Sequence, residues 1–214
     1  MAILKDEDRR KLAEIFQDMD GDVKLVFFTQ EFECEFCGVT RQLLEELESI
    51  SDKIHLEVYD FQKDKDKADS YGIDKIPAIA VTGREDYGIR YFGVPSGYEF
   101  SSLIEDILDV SKGSSNLSDD TKEKISGITE PVHIQVFVTQ TCPYCPVAVR
   151  MAHRLAMESG NIRGDMVGAI EFPHLANKYR VFGVPKVIIN DRVEFEGALP
   201  EPLFVEKVLE AVGK

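Results

Sequence analysis

The stretch Thr139-Gln-Thr-Cys-Pro-Tyr-Cys-Pro146 places Cys142 and Cys145 three residues apart, directly behind the apolar run VHIQVFV. A continuous apolar run of this length is typical of a β-strand covered on both faces. A similar stretch, TQEFECEFCG, carries Cys34 and Cys37 behind the run VKLVFFT. All four cysteines of the chain belong to these two pairs. Three interpretations are open: a redox couple, half of a metal site, or buried sulfur.

The chain is an internal repeat, because landmarks of the first half recur 108 residues later. The recurring residues are Cys34, Cys37, Tyr71 and Pro77, which correspond to Cys142, Cys145, Tyr179 and Pro185. The proline follows the first cysteine by 43 residues in both halves. Self-similarity on this scale indicates a duplicated unit.

Both halves predict the same order of elements: a short helix, a buried strand, a helix opening at the cysteine pair, a strand, a charged helix, two strands and a closing helix. Alternation of this kind predicts an α/β fold, here two tandem units, each with a central mixed sheet flanked by helices. The first helices are expected near residues 6–19 and 118–127, and DMVGAIEF is expected as a strand of the second unit. Gly, Ser and Asn cluster in SKGSSNLSDD, which predicts units at 1–115 and 116–214, with Ser118 capping the next helix.

Composition limits the function. The 214 residues carry a net charge of −14, which opposes binding to nucleic acid or to an anionic membrane. No apolar run approaches the roughly 20 residues that span a bilayer, and the N-terminus lacks the apolar core of a signal peptide. We therefore expect a cytoplasmic protein. High charge with few Asn and Gln residues favours a thermophilic source.

The position of each pair at the start of a helix suits thiol chemistry. Free backbone N–H groups and the helix dipole stabilise a thiolate on the first cysteine, and Pro143 is expected at the first helical position. A second thiol one turn on can close a disulfide with the first, or attack a mixed disulfide and release the product. A proline at the start of an edge strand, and in the cis form, could lie opposite the sulfurs, exclude metal and offer backbone groups to an extended substrate.

Each half resembles a glutaredoxin or thioredoxin, and CPYC is the glutaredoxin form of the motif. Two such units with both pairs intact resemble the glutaredoxin-like protein disulfide oxidoreductases of hyperthermophiles, over essentially the whole chain. The resemblance implies an enzyme that makes, breaks or reshuffles protein disulfides inside the cell, with a thioredoxin-reductase-type flavoprotein as electron source. It implies no flavin or metal of its own, because the thiols carry the electrons.

The resemblance also assigns roles to individual residues. The nucleophiles would be Cys34 and Cys142, the resolving thiols Cys37 and Cys145, and the cis prolines Pro77 and Pro185, preceded by Ile76 and Val184. Two family features are missing. Phe28 and Val136 stand six residues before the first cysteines, where thioredoxins carry a buried Asp, and no Lys precedes either motif to bind anionic glutathione.

The two motifs differ in charge. Glu35 lies beside Cys34, with Glu31 and Glu33 just upstream, whereas no charge adjoins Cys142. Because a carboxylate favours the neutral thiol, we expect a higher pKa for Cys34 and a more oxidising, dominant C-terminal site. Within the motifs, Phe36 and Tyr144 either shape substrate contact or cover the disulfide.

Several alternatives stay open. Four cysteines can bind zinc, but 104 residues separate Cys37 from Cys142, far more than the roughly 15–20 between the pairs of zinc ribbons. The chain could instead donate electrons to a peroxiredoxin, as the tandem module of alkyl hydroperoxide reductase flavoproteins does, or act as a chaperone-like binding module. Asp60 and Glu171 end matching strands and could assist proton transfer. The four histidines are expected in surface or partly packed positions (His55, His133, His153, His174).

Overall fold

The computed structural model describes residues 2–214. Its eight helices are α1 (Asp6–Ile15), α2 (Cys37–Glu48), α3 (Lys65–Ser70), α4 (Glu99–Lys112), α5 (Asp119–Ser126), α6 (Cys145–Glu158), α7 (Pro173–Lys178) and α8 (Glu201–Ala211). Its eight strands are β1 (Val23–Thr29), β2 (Ile54–Asp60), β3 (Ala78–Thr82), β4 (Ile89–Phe92), β5 (Val132–Val138), β6 (Ile162–Gly168), β7 (Lys186–Ile189) and β8 (Val193–Glu196). One 3₁₀ turn, Phe16–Asp18, follows α1.

The strands form one continuous sheet in the order β2-β1-β3-β4-β6-β5-β7-β8. Within each unit the first two strands are parallel and the next two antiparallel, so the predicted α/β class with two mixed-sheet units is confirmed. The junction is an addition that the sequence did not indicate. Strands β4 and β6 pair in parallel, with Ile89 opposite Gly164 and Phe92 opposite Val167. The division after residue 115 stays a prediction.

Apolar side chains fill both sides of the sheet. The larger core cluster joins β-strand residues such as Leu25 and Ile134 to helices α2, α4, α6 and α8, through Leu44, Ile107 and Leu155 among others. The smaller cluster lies on the other side and includes residues of, and next to, the short helices α3 and α7. Burial on both sides explains why the strands read as continuous apolar runs.

Several predicted bounds need correction. The strand expected at DMVGAIEF is β6, which starts earlier, at Ile162, and ends at Gly168 because the chain then turns into α7. Helix α1 ends at Ile15 rather than near residue 19. Helices α2 and α6 begin at the second cysteine of each pair, so Cys34 and Cys142 lie in the turns before them. The Ser118 cap is confirmed, since its hydroxyl accepts from Thr121 N at 3.2 Å.

The repeat is interrupted just before the first cysteine. By pairing register, Phe28 lies opposite Ala78 and Phe137 lies opposite Lys186, so the structural counterpart of Phe28 is Phe137. The first unit therefore has one more residue between strand and cysteine than the second. The position equivalent to Val136 is Phe27, and both belong to the larger core cluster and are fully buried. Neither unit has an acidic side chain at this place.

Buried ionic groups join the units where α4 packs on α6. Asp106 accepts from the Tyr91 hydroxyl and lies 2.6 Å from His153 Nδ1, while Arg150 pairs with Asp106 and Asp109. The expectation for His153 is therefore wrong: its side chain is wholly buried. Burial and the Arg150 charge lower its pKa from 6.5 to about 3, which keeps the imidazole neutral. Among residues 2–214 no helix is long and apolar enough to cross a membrane.

Candidate functional site

Both cysteine pairs lie at the same end of the sheet. Strands β1, β2, β4, β5 and β6 all run in one direction, because β4 is antiparallel to β3, which is antiparallel to β1. The pairs follow the carboxyl ends of β1 and β5, which are four strand positions apart. At the usual inter-strand spacing this is about 19 Å. The same end of the sheet therefore carries both pairs, and helices α2 and α6, which follow the pairs, pack on the same face of the sheet.

The C-terminal pair, Cys142–Cys145, forms a disulfide. The backbone N–H of Cys145 donates to Cys142 Sγ at 3.1 Å, and the carbonyl oxygen of Val184 lies 3.6 Å from the same sulfur. Cys142 is 7% exposed and Cys145 is fully buried. The N–H can stabilise a thiolate on Cys142, and the more buried sulfur is shielded from solvent.

The N-terminal pair, Cys34–Cys37, also forms a disulfide. Cys34 is half-buried and Cys37 is buried. The backbone N–H of Cys37 donates to the carbonyl oxygen of Cys34 at 3.4 Å rather than to its sulfur. The neighbouring Glu31, Glu33 and Glu35 are exposed. The surroundings of this sulfur thus differ from those of Cys142 in hydrogen bonding as well as in charge.

The Ile76–Pro77 and Val184–Pro185 peptide bonds are both cis. The expectation of an edge strand is wrong, since β3 and β7 are interior strands. Each proline instead lies one residue ahead of its strand, where its missing N–H removes no ladder bond. The carbonyl oxygen of Pro77 accepts from Gly93 N at 3.0 Å, and that of Pro185 accepts from Gly197 N at 2.8 Å.

The residues between the cysteines differ in solvent exposure between the two sites. Tyr144 is 68% exposed, whereas Phe36 is half-buried and borders an apolar groove of ≈ 440 Å³ that extends to Gln140. The expectation that Pro143 would occupy the first helical position is wrong: Pro143 lies in the turn, because α6 begins two residues later, at Cys145. Pro146 takes the place in the first turn instead.

Glu99 is a candidate that sequence reasoning missed. It opens α4, is 1% exposed, and accepts one hydrogen bond from the Ser102 hydroxyl at 2.8 Å, leaving its Oε1 without a partner among residues 2–214. Burial raises its pKa from 4.5 to about 7. The preceding Tyr98 N donates to Gln140 O at 3.1 Å, which places this helix end against the segment leading to Cys142. An acid in a first helical turn is common, so the sequence carried no signal for its burial.

Asp60 and Glu171 are occupied by backbone contacts. Asp60 accepts from the N–H groups of Lys63 at 2.9 Å and Gln62 at 3.0 Å, and these bonds, with burial opposing them, lower the pKa of Asp60. Glu171 accepts from Val94 N at 3.1 Å, across the junction between the units. Both carboxylates therefore hold loops in place. No group of three or more His, Cys, Asp or Glu side chains that could hold a metal ion occurs in residues 2–214.

Comparison with known proteins extends this picture. A family model for a thioredoxin domain matches residues 132–210. The alkyl hydroperoxide reductase AhpF of Pseudomonas aeruginosa is 28% identical over 114 residues, covering 53% of this chain and 22% of that protein. An NADH dehydrogenase of Ferdinandcohnia aciditolerans is 24% identical over 212 residues, covering 99% of this chain and 37% of that protein. The chain thus spans well under half the length of these curated relatives.

Solved structures match over more of their length. The NTD_N/C domain of alkylhydroperoxide reductase AhpF from Enterococcus faecalis has a TM-score of 0.89 and 26% identity, covering 96% of this chain and 99% of that one. A protein disulfide oxidoreductase from Aeropyrum pernix has a TM-score of 0.92 and 33% identity, covering 98% of this chain and 94% of that one. The resemblance inferred from the sequence is confirmed: the chain belongs to the family of tandem thioredoxin-fold proteins that includes the Aeropyrum protein disulfide oxidoreductase.

Proposed function

We propose that the chain is a dithiol–disulfide oxidoreductase that acts on protein disulfides. The observation that carries the proposal is the arrangement at Cys142, with the Cys145 N–H at 3.1 Å and the Val184 carbonyl at 3.6 Å from its sulfur. The N–H stabilises a thiolate, while the backbone before the cis proline lies where an extended substrate segment can align. The similarity to the Aeropyrum protein supports the same activity.

In the reducing direction, the Cys142 thiolate attacks one sulfur of the substrate disulfide and releases the other as a thiolate. Cys145 then attacks the mixed disulfide, closes the Cys142–Cys145 disulfide and releases the second substrate thiolate. Two electrons pass from the protein dithiol to the substrate, and the released thiolates take up two protons. Cys34 and Cys37 act in the same way at the other site, and oxidation or isomerisation uses the same steps in reverse or in sequence.

The C-terminal site is the dominant one in this proposal. Its first sulfur receives an N–H bond, whereas Cys34 has exposed carboxylates around it and the Cys37 N–H bonds its carbonyl oxygen instead. A better stabilised thiolate makes the disulfide easier to reduce, and the couple more oxidising. We place the protein in the cytoplasm, with a thioredoxin-reductase-type flavoprotein regenerating its dithiols.

The test is reduction of insulin disulfides, with dithiothreitol as the regenerating reductant. Cys142→Ser should remove most of the rate and Cys34→Ser a smaller part, and the variant with both changes should not exceed dithiothreitol alone. In a single turnover with pre-reduced protein and no dithiothreitol, Cys145→Ser should trap a mixed disulfide on Cys142, detectable by mass spectrometry. Unchanged turnover in the doubly substituted variant contradicts the activity, whereas a larger loss from Cys34→Ser contradicts only the order of the sites.

Donation of electrons to a peroxiredoxin is the second candidate, supported by similarity to alkyl hydroperoxide reductases of the AhpF type. The same dithiol would then reduce the disulfide of an oxidised two-cysteine peroxiredoxin. A single-turnover measurement with reduced protein and an oxidised peroxiredoxin tests this. Transfer much faster than to insulin favours this role, and transfer no faster than by free dithiothreitol rules it out.

A further inference from the structure

The loops that lead into the two cis prolines have the same backbone shape. In the first unit, Ile73 N donates to Ala68 O at 2.8 Å; in the second, Val181 N donates to Ala176 O at 2.8 Å. The residue before each donor has left-handed backbone: Gly72 with φ 64° and Arg180 with φ 51°. Corresponding positions of these loops can therefore be compared directly.

The position three residues before the proline is Asp74 in the first unit and Phe182 in the second. Phe182 is 92% exposed, and the Asp74 side chain is 73% exposed. Two residues after Phe182 comes Val184, whose carbonyl lies 3.6 Å from Cys142 Sγ. A phenylalanine this exposed contributes nothing to the core, and it lies on the same loop as the carbonyl that approaches the sulfur, so a bound substrate could cover it.

The loops after β2 and β6 show a second position at which a polar residue of the first unit corresponds to an apolar residue of the second. Phe61 N donates to Thr29 O at 2.8 Å, and Ala169 N donates to Val138 O at 2.9 Å, so these loops also match. The next residue is exposed in both units, Gln62 in the first and Ile170, 61% exposed, in the second. Tyr144, Ile170 and Phe182 are thus exposed apolar side chains on three segments at this end of the sheet: the motif, the loop after β6 and the loop before β7. We call these three residues the apolar rim of the C-terminal site.

The N-terminal site has an acidic rim. Glu31, Glu33 and Glu35 are exposed around the motif, and Phe32 between them is 73% exposed. Two lysines reduce the charge of the neighbouring acids: Lys75 Nζ lies 2.6 Å from Asp74, and Lys63 Nζ lies 3.5 Å from Asp60. The three glutamates form no ion pair within residues 2–214. An aromatic ring among free carboxylates suits a Lys or Arg side chain, by ion pairing and by cation–π contact.

We propose that the residue three positions before each proline, with the rim around it, selects substrates by the side chains that flank the disulfide. The C-terminal site then takes polypeptide segments whose cysteine has large apolar neighbours, with Phe182 as the specificity-determining residue. The N-terminal site takes segments with Lys or Arg beside the cysteine, with Asp74 in the corresponding position. This inference rests on the proposed oxidoreductase function and names the substrate class of each site.

The test uses two synthetic peptides, each with one intramolecular disulfide and identical except for flanking Leu and Phe in one and Lys and Arg in the other. Two backgrounds isolate the sites: Cys34→Ser with Cys37→Ser, and Cys142→Ser with Cys145→Ser. The readout is the ratio of kcat/KM for the apolar and the basic peptide, with dithiothreitol as reductant. A general loss of fold or reactivity lowers both rates and leaves this ratio unchanged.

In the background that keeps the C-terminal site, Phe182→Asp should reduce the preference for the apolar peptide about tenfold, mainly through KM, whereas Phe182→Leu should retain it. In the background that keeps the N-terminal site, Asp74→Phe should raise the rate with the apolar peptide relative to that with the basic peptide. Added salt should slow the reduction of the basic peptide only. A ratio unaffected by Phe182→Asp overturns the specificity proposal. If the unmodified protein reduces neither peptide faster than dithiothreitol alone, the oxidoreductase function itself fails.

Discussion

Glu99 is the residue whose ionisation should most affect stability around neutral pH. Its pKa rises from 4.5 to about 7 on burial, so the folded state holds a proton that the unfolded state releases. The stability this proton provides is complete below pH 4.5 and is lost as the pH rises to 7, a change of about 3 kcal/mol. Glu99→Gln should remove this contribution and be more stable than the unmodified protein at pH 8. Urea unfolding of both proteins at pH 5 and pH 8 checks this through the difference in stability between them, and a difference that does not depend on pH contradicts it.

His153 should act in the opposite direction. Its pKa falls from 6.5 to about 3 in the folded protein, so acidification protonates the unfolded chain first. Stability from this residue is complete above pH 6.5 and falls by about 1.4 kcal/mol per pH unit below it. The contributions of Glu99 and His153 should cancel between pH 6.5 and 5, so the unmodified protein should change little in stability there. His153→Gln, whose amide can still donate to Asp106, should gain about 2 kcal/mol on acidification over this range, and Glu99→Gln should lose about as much. Urea unfolding of the three proteins at pH 6.5 and pH 5 checks this, and a His153→Gln variant that follows the unmodified protein contradicts it.

Among single residues, the sequence predicted those that are recognised by their spacing along the chain. The two cysteine pairs and the prolines 43 residues later can be recognised from the chain alone. Glu99 and His153 cannot, because their significance comes from burial against elements distant in sequence. His153 lies on α6 and meets Asp106 on α4, a contact between residues 47 positions apart.

Among the elements, the segments joining strand to cysteine differ most between the units. The first unit has one extra residue there, and Glu33 within that segment has left-handed backbone, with φ 58°. Left-handed backbone costs roughly 1–2 kcal/mol for a residue with a Cβ. Glu33→Gly should therefore raise the free energy of unfolding by about 0.5–1 kcal/mol, measured by urea titration. Glu31→Gly is the matched control and should lower it, because Glu31 lacks positive φ; a loss with Glu33→Gly contradicts the prediction.

The order of helices and strands could be predicted from the periodicity of apolar residues, since each strand and amphipathic helix buries its apolar residues on the expected side. The change of spacing between the repeats could not be predicted, because equivalent residues are 108 positions apart at the cysteines but not along β1 and β5. Only strand pairing distinguishes these registers. The helix starts were also misplaced, since Cys34 and Cys142 lie in turns before their helices. At Cys142 this turn brings the sulfur within 3.1 Å of the first helical N–H, that of Cys145.

For the whole molecule, the α4–α6 contact should make the two units unstable apart. Separation would leave Arg150 without Asp106 and Asp109, and would remove the hydrogen bonds between β4 and β6. Breaking one buried ion pair typically costs about 3–5 kcal/mol. Residues 1–115 and 116–214 expressed separately should each be largely unfolded by circular dichroism and should recover structure when coexpressed. Two independently folded halves with undiminished thermal stability would contradict this.

The continuous sheet also has a consequence for behaviour at high concentration. Two separate four-stranded sheets would have four edge strands, whereas the joined sheet has two, β2 and β8. Edge strands are where chains pair with one another in aggregates, and charged side chains discourage that pairing. Strand β2 carries Glu57 and Asp60, and the four-residue β8 carries Glu194 and Glu196. By fusing its units through β4 and β6, the chain buries two sites of intermolecular pairing and leaves acidic side chains along the remaining two.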